Sequence, residues 1–266
     1  MQPLSNMPRA VLRAVTTVMA DIDDTITTEG RLPAASYAAL ERLHDAGLHV
    51  ALITGRPAGW CDMIARFWPV SGVVGENGAF CFAYDAENRT MRRIYAASAE
   101  DRRAAREKMA HIARRALKEV PGCAVAADQA YRETDLAIDF REDVPPLDLA
   151  AAERIKAICE QEGAVAKISS IHVNCWFGEH DKLSMARVLA RDVLRFDLER
   201  EKDKVIYCGD SPNDAPMFAF FPNACGVANV ADFPGRIETP PAWVASQRGG
   251  AGFVEIAEAI LRAQGE

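Results

Sequence analysis

The chain has no C-x-x-C pair, no block of lysine or arginine and no long apolar run. Each absence removes a class. Its seven cysteines (61, 81, 123, 159, 175, 208 and 225) are scattered and odd in number, which argues for buried thiols in a reducing compartment, not for disulfides or zinc. The five dispersed histidines offer no zinc-type pair either. A net charge of −7 leaves nothing to neutralise a nucleic-acid backbone, although a local basic group can still hold a small anion. No stretch approaches the roughly 18 apolar residues of a membrane span, and residues 1–13 lack an apolar signal core. The expectation is a cytoplasmic protein with neither a membrane nor a nucleic-acid partner; composition leaves the oligomeric state unknown. What is present is ordinary globular material, 266 residues with 49% hydrophobic and 26% charged, enough for one large domain or two modest ones.

Hydrophobic periodicity divides the chain into two styles. "AVTTVMA" (14–20) reads as a strand, "PAASYAALERLHDAG" (33–47) as a helix opened by Pro and closed by Gly, and "LHVALIT" (48–54) as a strand. A helix over 58–68 and a short buried strand over 71–78 complete a β-α-β-α-β opening, which implies a parallel sheet. After residue 83 the pattern changes to a long charged helix (97–120), strands at 123–127 and 135–140, a helix at 147–163 and strands at 164–168 and 171–177. The first style then resumes with a helix (181–194), a strand (203–210), a short strand (223–229) and a closing helix (252–264). The expected architecture is an α/β core, 1–83 and 178–266, interrupted by a smaller α/β module at 84–177 whose sheet need not be parallel.

The chemistry-bearing residues fall at the predicted carboxyl ends of the core strands, where open parallel sheets bind ligands. "VMADIDDTITTEG" (18–30) places Asp21, Asp23 and Asp24 at the first strand's end. Alternation sends Asp21 and Asp23 to one side and Ile22 into the packing. Like charges so close repel, so either water or something positive belongs among them. Thr54-Gly55-Arg56 ends the second strand, Gly209-Asp210-Ser211-Pro212-Asn213-Asp214 the later one, and Lys182 opens the helix after the inserted module. Taken singly, these are a hydrated turn, a strand-to-helix turn, a helix cap and a surface lysine. Their joint occurrence at strand ends is not explained that way.

Together they resemble the haloacid dehalogenase (HAD) superfamily of aspartate-nucleophile phosphatases. All four family motifs can be placed: "DIDDT" (21–25), "LITGR" (52–56), Lys182 in "DKLSMA", and "GDSPND" (209–214). The position of the insertion, "GENGA" (75–79) and the "DK" pair look like the α/β-capped branch of Cof-type and sucrose-phosphate phosphatases. The resemblance implies a Rossmann-like core with a cap domain and hydrolysis of a small phosphorylated metabolite. Asp21 would be the nucleophile and Asp23 the general acid and base, with Thr54, Gly55, Lys182 and Asn213 binding the phosphoryl group. Mg²⁺ would be held by Asp21, the Asp23 backbone carbonyl, Asp210 and Asp214. Asp24 stands where the family usually has Gly, and it is assigned to left-handed turn geometry, which Asp tolerates.

Three rivals are weaker. A phospho-receiver module needs its accepting Asp where this chain has Thr54, and it leaves the insertion unexplained. A sugar-phosphate-binding regulator has no need of every catalytic carboxylate. Phosphomutase-type relatives often carry their cap between the first two motifs, where this chain has room for only one helix. A sugar phosphate is the preferred substrate, with a nucleotide or cofactor phosphate as the alternative. In "SSIHVNCWFGEH" (169–180), His172 and Asn174 share one strand face and are the candidate substrate contacts.

Overall fold

The computed structural model describes residues 1–265. Nine strands form the larger sheet, in the order Gln2–Pro3, Trp243–Val244, Cys225–Gly226, Val205–Gly209, Thr17–Ala20, His49–Ile53, Gly72–Gly75, Phe80–Asp85 and Thr90–Tyr95. Pairing is parallel from the first of these through Gly72–Gly75 and antiparallel for the last two. The strands are apolar on both faces because both are covered. Val18, Val50 and Leu52 face one layer with the helices Ala34–Asp45, Ala58–Phe67 and Gly249–Gln264. Met19, Ala51 and Ile53 face the other, with Lys182–Val188 and Ala215–Phe220. The α/β fold class expected from the sequence is the one observed.

The second sheet is small and antiparallel throughout, in the order Ala124–Val125, Leu136–Asp139, His172–Trp176, Val165–Ile168. The helices Ala99–Glu119 and Leu149–Gln161 bury one face against it, with Ile112, Ile138, Ile155 and Val173 fully enclosed. Both helices begin where the sequence provides a cap: Ser98 accepts from Asp101 N–H and Asp148 from Ala151 N–H. The boundary differs from the sequence expectation. The change of pattern was placed at residue 83, but the hairpin Phe80–Asp85 and Thr90–Tyr95 extends the larger sheet. Phe80 and Phe82 stack at 4.3 Å and sit in the core layer, so "FCFA" is apolar on both faces and needs a covered sheet. The expected helix 181–194 also divides, into an α-helical turn set (Lys182–Val188) and a wider π-type stretch (Leu189–Leu194) that ends at Arg195 with φ 66°.

Candidate active site

Asp21 follows the buried strand Thr17–Ala20 and is itself buried. Its Oδ1 accepts from the Ile22 N–H at 2.7 Å and its Oδ2 from Lys182 Nζ at 2.9 Å. Lys182 is aimed inward because Asp181 caps its helix, accepting from the Ser184 N–H at 2.6 Å. Gly78, with φ +106°, lets the 75–79 loop lie against this turn, since a Cβ there would come within 1.9 Å of the Asp181 carbonyl oxygen. Lys182 Nζ also donates to Asp214 Oδ1 at 2.8 Å. Burial alone would strip its proton, but Asp21 and Asp214 outweigh burial and keep the ammonium charged.

The parallel neighbour Val205–Gly209 brings Asp210 beside Asp21, and carboxylate oxygens of Asp21, Asp210 and Asp214 lie within 4.8 Å of one another. Asp214 is already well supplied. Lys182 Nζ and Tyr207 Oη (2.5 Å) donate to its Oδ1, and the Asp210 and Ser211 N–H groups (3.0 and 3.3 Å) to its Oδ2. Gly209 makes room for it, since a Cβ there would stand 2.5 Å from Asp214 Oδ2. Asp210 is different. Its Oδ1 accepts a long bond from Thr25 Oγ1 at 3.3 Å, and its buried Oδ2 has no partner. An orphaned carboxylate oxygen among other carboxylates is costly unless a cation takes it. The donor set is all hard oxygen, which fits Mg²⁺ and not a metal that prefers nitrogen or sulfur. Burial, partly opposed by Lys182 and reinforced by Asp214 and Asp23, pushes Asp21 up to about 7. Burial followed by the charges of Asp214 and Asp21 pushes Asp210 well up too. A bound divalent cation opposes both shifts.

Thr54, Gly55 and Arg56 form the turn after His49–Ile53. The Thr54 Oγ1 accepts from the Arg56 N–H at 3.0 Å, which leaves its own proton free to donate. Among the described residues, the N–H groups of Gly55 and Asp23 have no acceptor. Asn213 Oδ1 accepts from Ser211 Oγ at 2.8 Å, leaving the amide nitrogen uncommitted. Asp24 sits in the left-handed region with φ 52°, its N–H donating to Thr27 Oγ1 at 3.0 Å, as its place in the turn requires.

Asp23 is held by a partner without an assigned role in the sequence reading. Arg56 Nε lies 2.9 and 3.0 Å from the two Asp23 oxygens, and Nη2 lies 2.7 Å from Oδ1. The same guanidinium reaches Glu142 at 2.5 and 3.2 Å, and His172 Nε2 lies 3.0 Å from Glu142 Oε2. Burial works to raise the Glu142 carboxyl, but His172 and Arg56 together outweigh it and hold it down at about 2. Arg56 and Glu142 are 86 residues apart, and no local pattern marks the pair. His172 and Asn174 are both buried where the small sheet meets the core. A narrow crevice of about 10 Å³ beneath them is lined by Asp21, Asp23, Gly55, Arg56, Asn213 and the segment Ser169–His172 with Asn174. Asn174 Nδ2 is spent on Asp135 Oδ2 at 2.9 Å. A neighbouring cavity of about 270 Å³ lies on the other side of Asp23, between Asp24, Thr27, Glu29, Arg141 and Glu142.

Residues 18–131 match the family model described as haloacid dehalogenase-like hydrolase. Over that stretch, a little under half of its length, the chain is similar to haloacid dehalogenase-like hydrolases. Solved structures agree on its fold across nearly the whole length. A Thermoplasma acidophilum protein superposes with a TM-score of 0.69 at 18% identity, over 92% of this chain and 98% of that one. A HAD/COF-like hydrolase from Plasmodium vivax gives 0.68 at 15% identity, covering 96% and 99%. The sucrose-phosphatase from Synechocystis sp., solved with sucrose and phosphate, gives 0.61 at 14%, covering 93% and 98%. No curated protein matches the sequence. The fold shared with these structures is the frame for the site described above. Among the described residues, no helix is long and apolar enough to cross a membrane.

Proposed function

We propose that the protein is a Mg²⁺-dependent phosphatase that hydrolyses a small phosphomonoester, a sugar phosphate, through an aspartyl-phosphate intermediate. The observation that carries this reading is the buried Asp21, held by Lys182 and standing within a carboxylate cluster that includes the unpartnered oxygen of Asp210. Asp21 and Asp210 would hold Mg²⁺ with the Asp23 carbonyl. Asp214, whose oxygens already take four donors, would steady Lys182 and the 210–211 turn. Bound there, the metal neutralises phosphoryl charge that the aspartates would otherwise repel.

An Asp21 oxygen attacks phosphorus as the bond to the leaving oxygen breaks, and Asp23 delivers the proton that the leaving alkoxide needs. Asp23 then takes a proton from water, whose oxygen displaces Asp21 and releases inorganic phosphate. Throughout, Lys182, the Thr54 hydroxyl, the Gly55 N–H and the Asn213 amide stabilise the equatorial oxygens. The small domain, proposed to run from the end of the hairpin at Tyr95 to about residue 177, is the cap that closes over the leaving group. The cavities flanking Asp23 are lined by carboxylates, hydroxyls, two amides, an imidazole, the guanidinium groups of Arg56 and Arg141 and the Ile171 side chain, and by no Phe, Tyr or Trp side chain. That lining suits a hydroxyl-rich leaving group better than a stacked base. The test is phosphate release across sugar, polyol and nucleotide phosphates with and without Mg²⁺. Release that is equally fast in EDTA, or no release from any ester, overturns the reading.

A further inference from the structure

We infer that Arg132, a residue of the small domain, is a positioning residue for the phosphoryl-binding turn of the core. The inference rests on the phosphatase reading above. Arg132 is the C-cap of the short turn Ala127–Tyr131, and its side chain is fully buried. Its fork is completely used. Nε and Nη2 donate to the two oxygens of Asp128 at 3.0 Å each, and Nη1 donates to Asp135 at 3.0 and 3.2 Å. The same Nη1 crosses to the core and donates to the Gly55 carbonyl at 2.8 Å.

That last contact matters because of what the Gly55–Arg56 peptide does. Its N–H end, on Arg56, donates to Thr54 Oγ1 and so turns the threonine's proton outward. The rest of the turn is tied within the core: Thr54 N–H to Val74 O at 2.9 Å, Asn77 N–H to Thr54 O at 3.0 Å, and Glu76 N–H to Arg56 O at 3.1 Å. The Gly55 carbonyl is the turn's polar group whose donor comes from the other domain. Arg132 therefore sets the plane of the peptide that orients Thr54 and flanks the free Gly55 N–H. Phosphoryl groups are bound well only when such donors are fixed beforehand, since a displacement of about 1 Å can cost a hundredfold in rate. Asp135, which holds Arg132, also accepts from Asn174 in the cavity, so one buried network joins the leaving-group side to the phosphoryl side.

Arg132→Lys keeps a charge for Asp128 and Asp135 but cannot serve both carboxylates and Gly55 at once. The strap it belongs to stays attached, because Glu76 accepts from the N–H groups of Glu133, Thr134 and Asp135, from Thr134 Oγ1 and from Ala58 N–H. The experiment compares wild type, Arg132→Lys, Thr54→Ala and the double variant, each with Mg²⁺. Inorganic phosphate affinity is read by calorimetry and turnover with p-nitrophenyl phosphate, which makes no use of a sugar pocket. The expected result is a loss of about tenfold or more in phosphate affinity and in kcat/KM for Arg132→Lys. Its effect in the Thr54→Ala background should be much smaller, because both act through one turn. Unchanged phosphate affinity, fully additive losses, or failure of Arg132→Lys to fold would each make Arg132 a packing residue and overturn the inference. A wild type that binds phosphate but releases none from any ester would overturn the phosphatase reading instead, and the affinity comparison would still decide on Arg132.

Discussion

Two clusters of buried and half-buried carboxylates lie a few residues apart in this protein, and they are built on opposite principles. In the first, Asp21, Asp210 and Asp214 share one ammonium, that of Lys182, and Asp210 keeps an oxygen with no donor at all. In the second, Asp23, Asp128, Asp135 and Glu142 are each gripped by a guanidinium fork, Arg56 or Arg132, with Asn174 and His172 added at the edge. The first has more carboxylates than cations around it; the second matches its carboxylates with two guanidinium groups. Removing charge by burial is costly in both, but only a satisfied network is self-sufficient. The difference separates a cluster with an unsatisfied carboxylate oxygen from one whose guanidinium groups tie the small sheet's segments to the larger sheet.

The comparison breaks most visibly at Asp21, the proposed nucleophile. Asp21→Asn should lower kcat by about a thousandfold or more, since no other group can accept the phosphoryl. Steady-state kinetics with saturating Mg²⁺ will show it, and near-normal turnover would remove Asp21 from the chemistry. Next in size is the metal response. Asp210→Asn should raise the Mg²⁺ concentration for half-maximal activity by roughly tenfold or more, with partial rescue at high Mg²⁺. Lys182→Ala should lose activity with no such rescue, and superimposable Mg²⁺ titrations would contradict the division between cation ligand and fixed charge.

The second cluster should respond to pH rather than to metal. Glu142→Gln removes a charge from Arg56 and His172, so urea unfolding near pH 6 should show a loss of about 1 kcal/mol for this partly exposed pair. The sign follows from a carboxyl held down at about 2 against an ordinary 4.5. Its contribution is present above about 4.5 and disappears as pH falls toward 2, so wild type and variant should converge there. A gap that persists unchanged at pH 3 would assign the loss to packing. The smallest effect is expected at Asp24, whose φ of 52° suits Gly as well as Asp. Asp24→Gly should alter stability by less than about 1 kcal/mol, whereas Asp24→Val should lose more, because a β-branched residue resists that conformation. Loss of turnover in a well-folded Asp24→Gly variant would move Asp24 into the chemistry.

The strand His172–Trp176 sharpens the comparison from the other side. His172 and Asn174 were singled out by alternation alone, and both prove to line the cavity beside Asp21 and Asp23 while touching the second cluster. The neighbours that commit them, Glu142 and Asp135, carried no signal. Nor did Glu76, which reaches the strap at Glu133–Asp135 from a turn where Glu76 and Asn77 both have positive φ. Burial, reinforced by Asp135 and opposed by Thr134, pushes that carboxyl up to about 7. In the sequence "GENGA" reads as a turn after a strand and as a likeness to the α/β-capped branch, and neither points to Glu133–Asp135.

What the sequence determined by itself was everything that depends on neighbours along the chain. Strand ends, helix caps, the alternation that buries Ile22 and Val173, and the left-handed turn at Asp24 all follow from spacing and local sterics. The tertiary structure alone decided what meets across the fold. It placed the hairpin Phe80–Asp85 and Thr90–Tyr95 in the larger sheet, because antiparallel strands carry no parallel rhythm and only a covering layer explains their apolar faces. It also joined Arg56 to Glu142 and Arg132 to Gly55, pairs 86 and 77 residues apart. A buried charge has to find its partner in space, and spacing along the chain says nothing of which partner that will be.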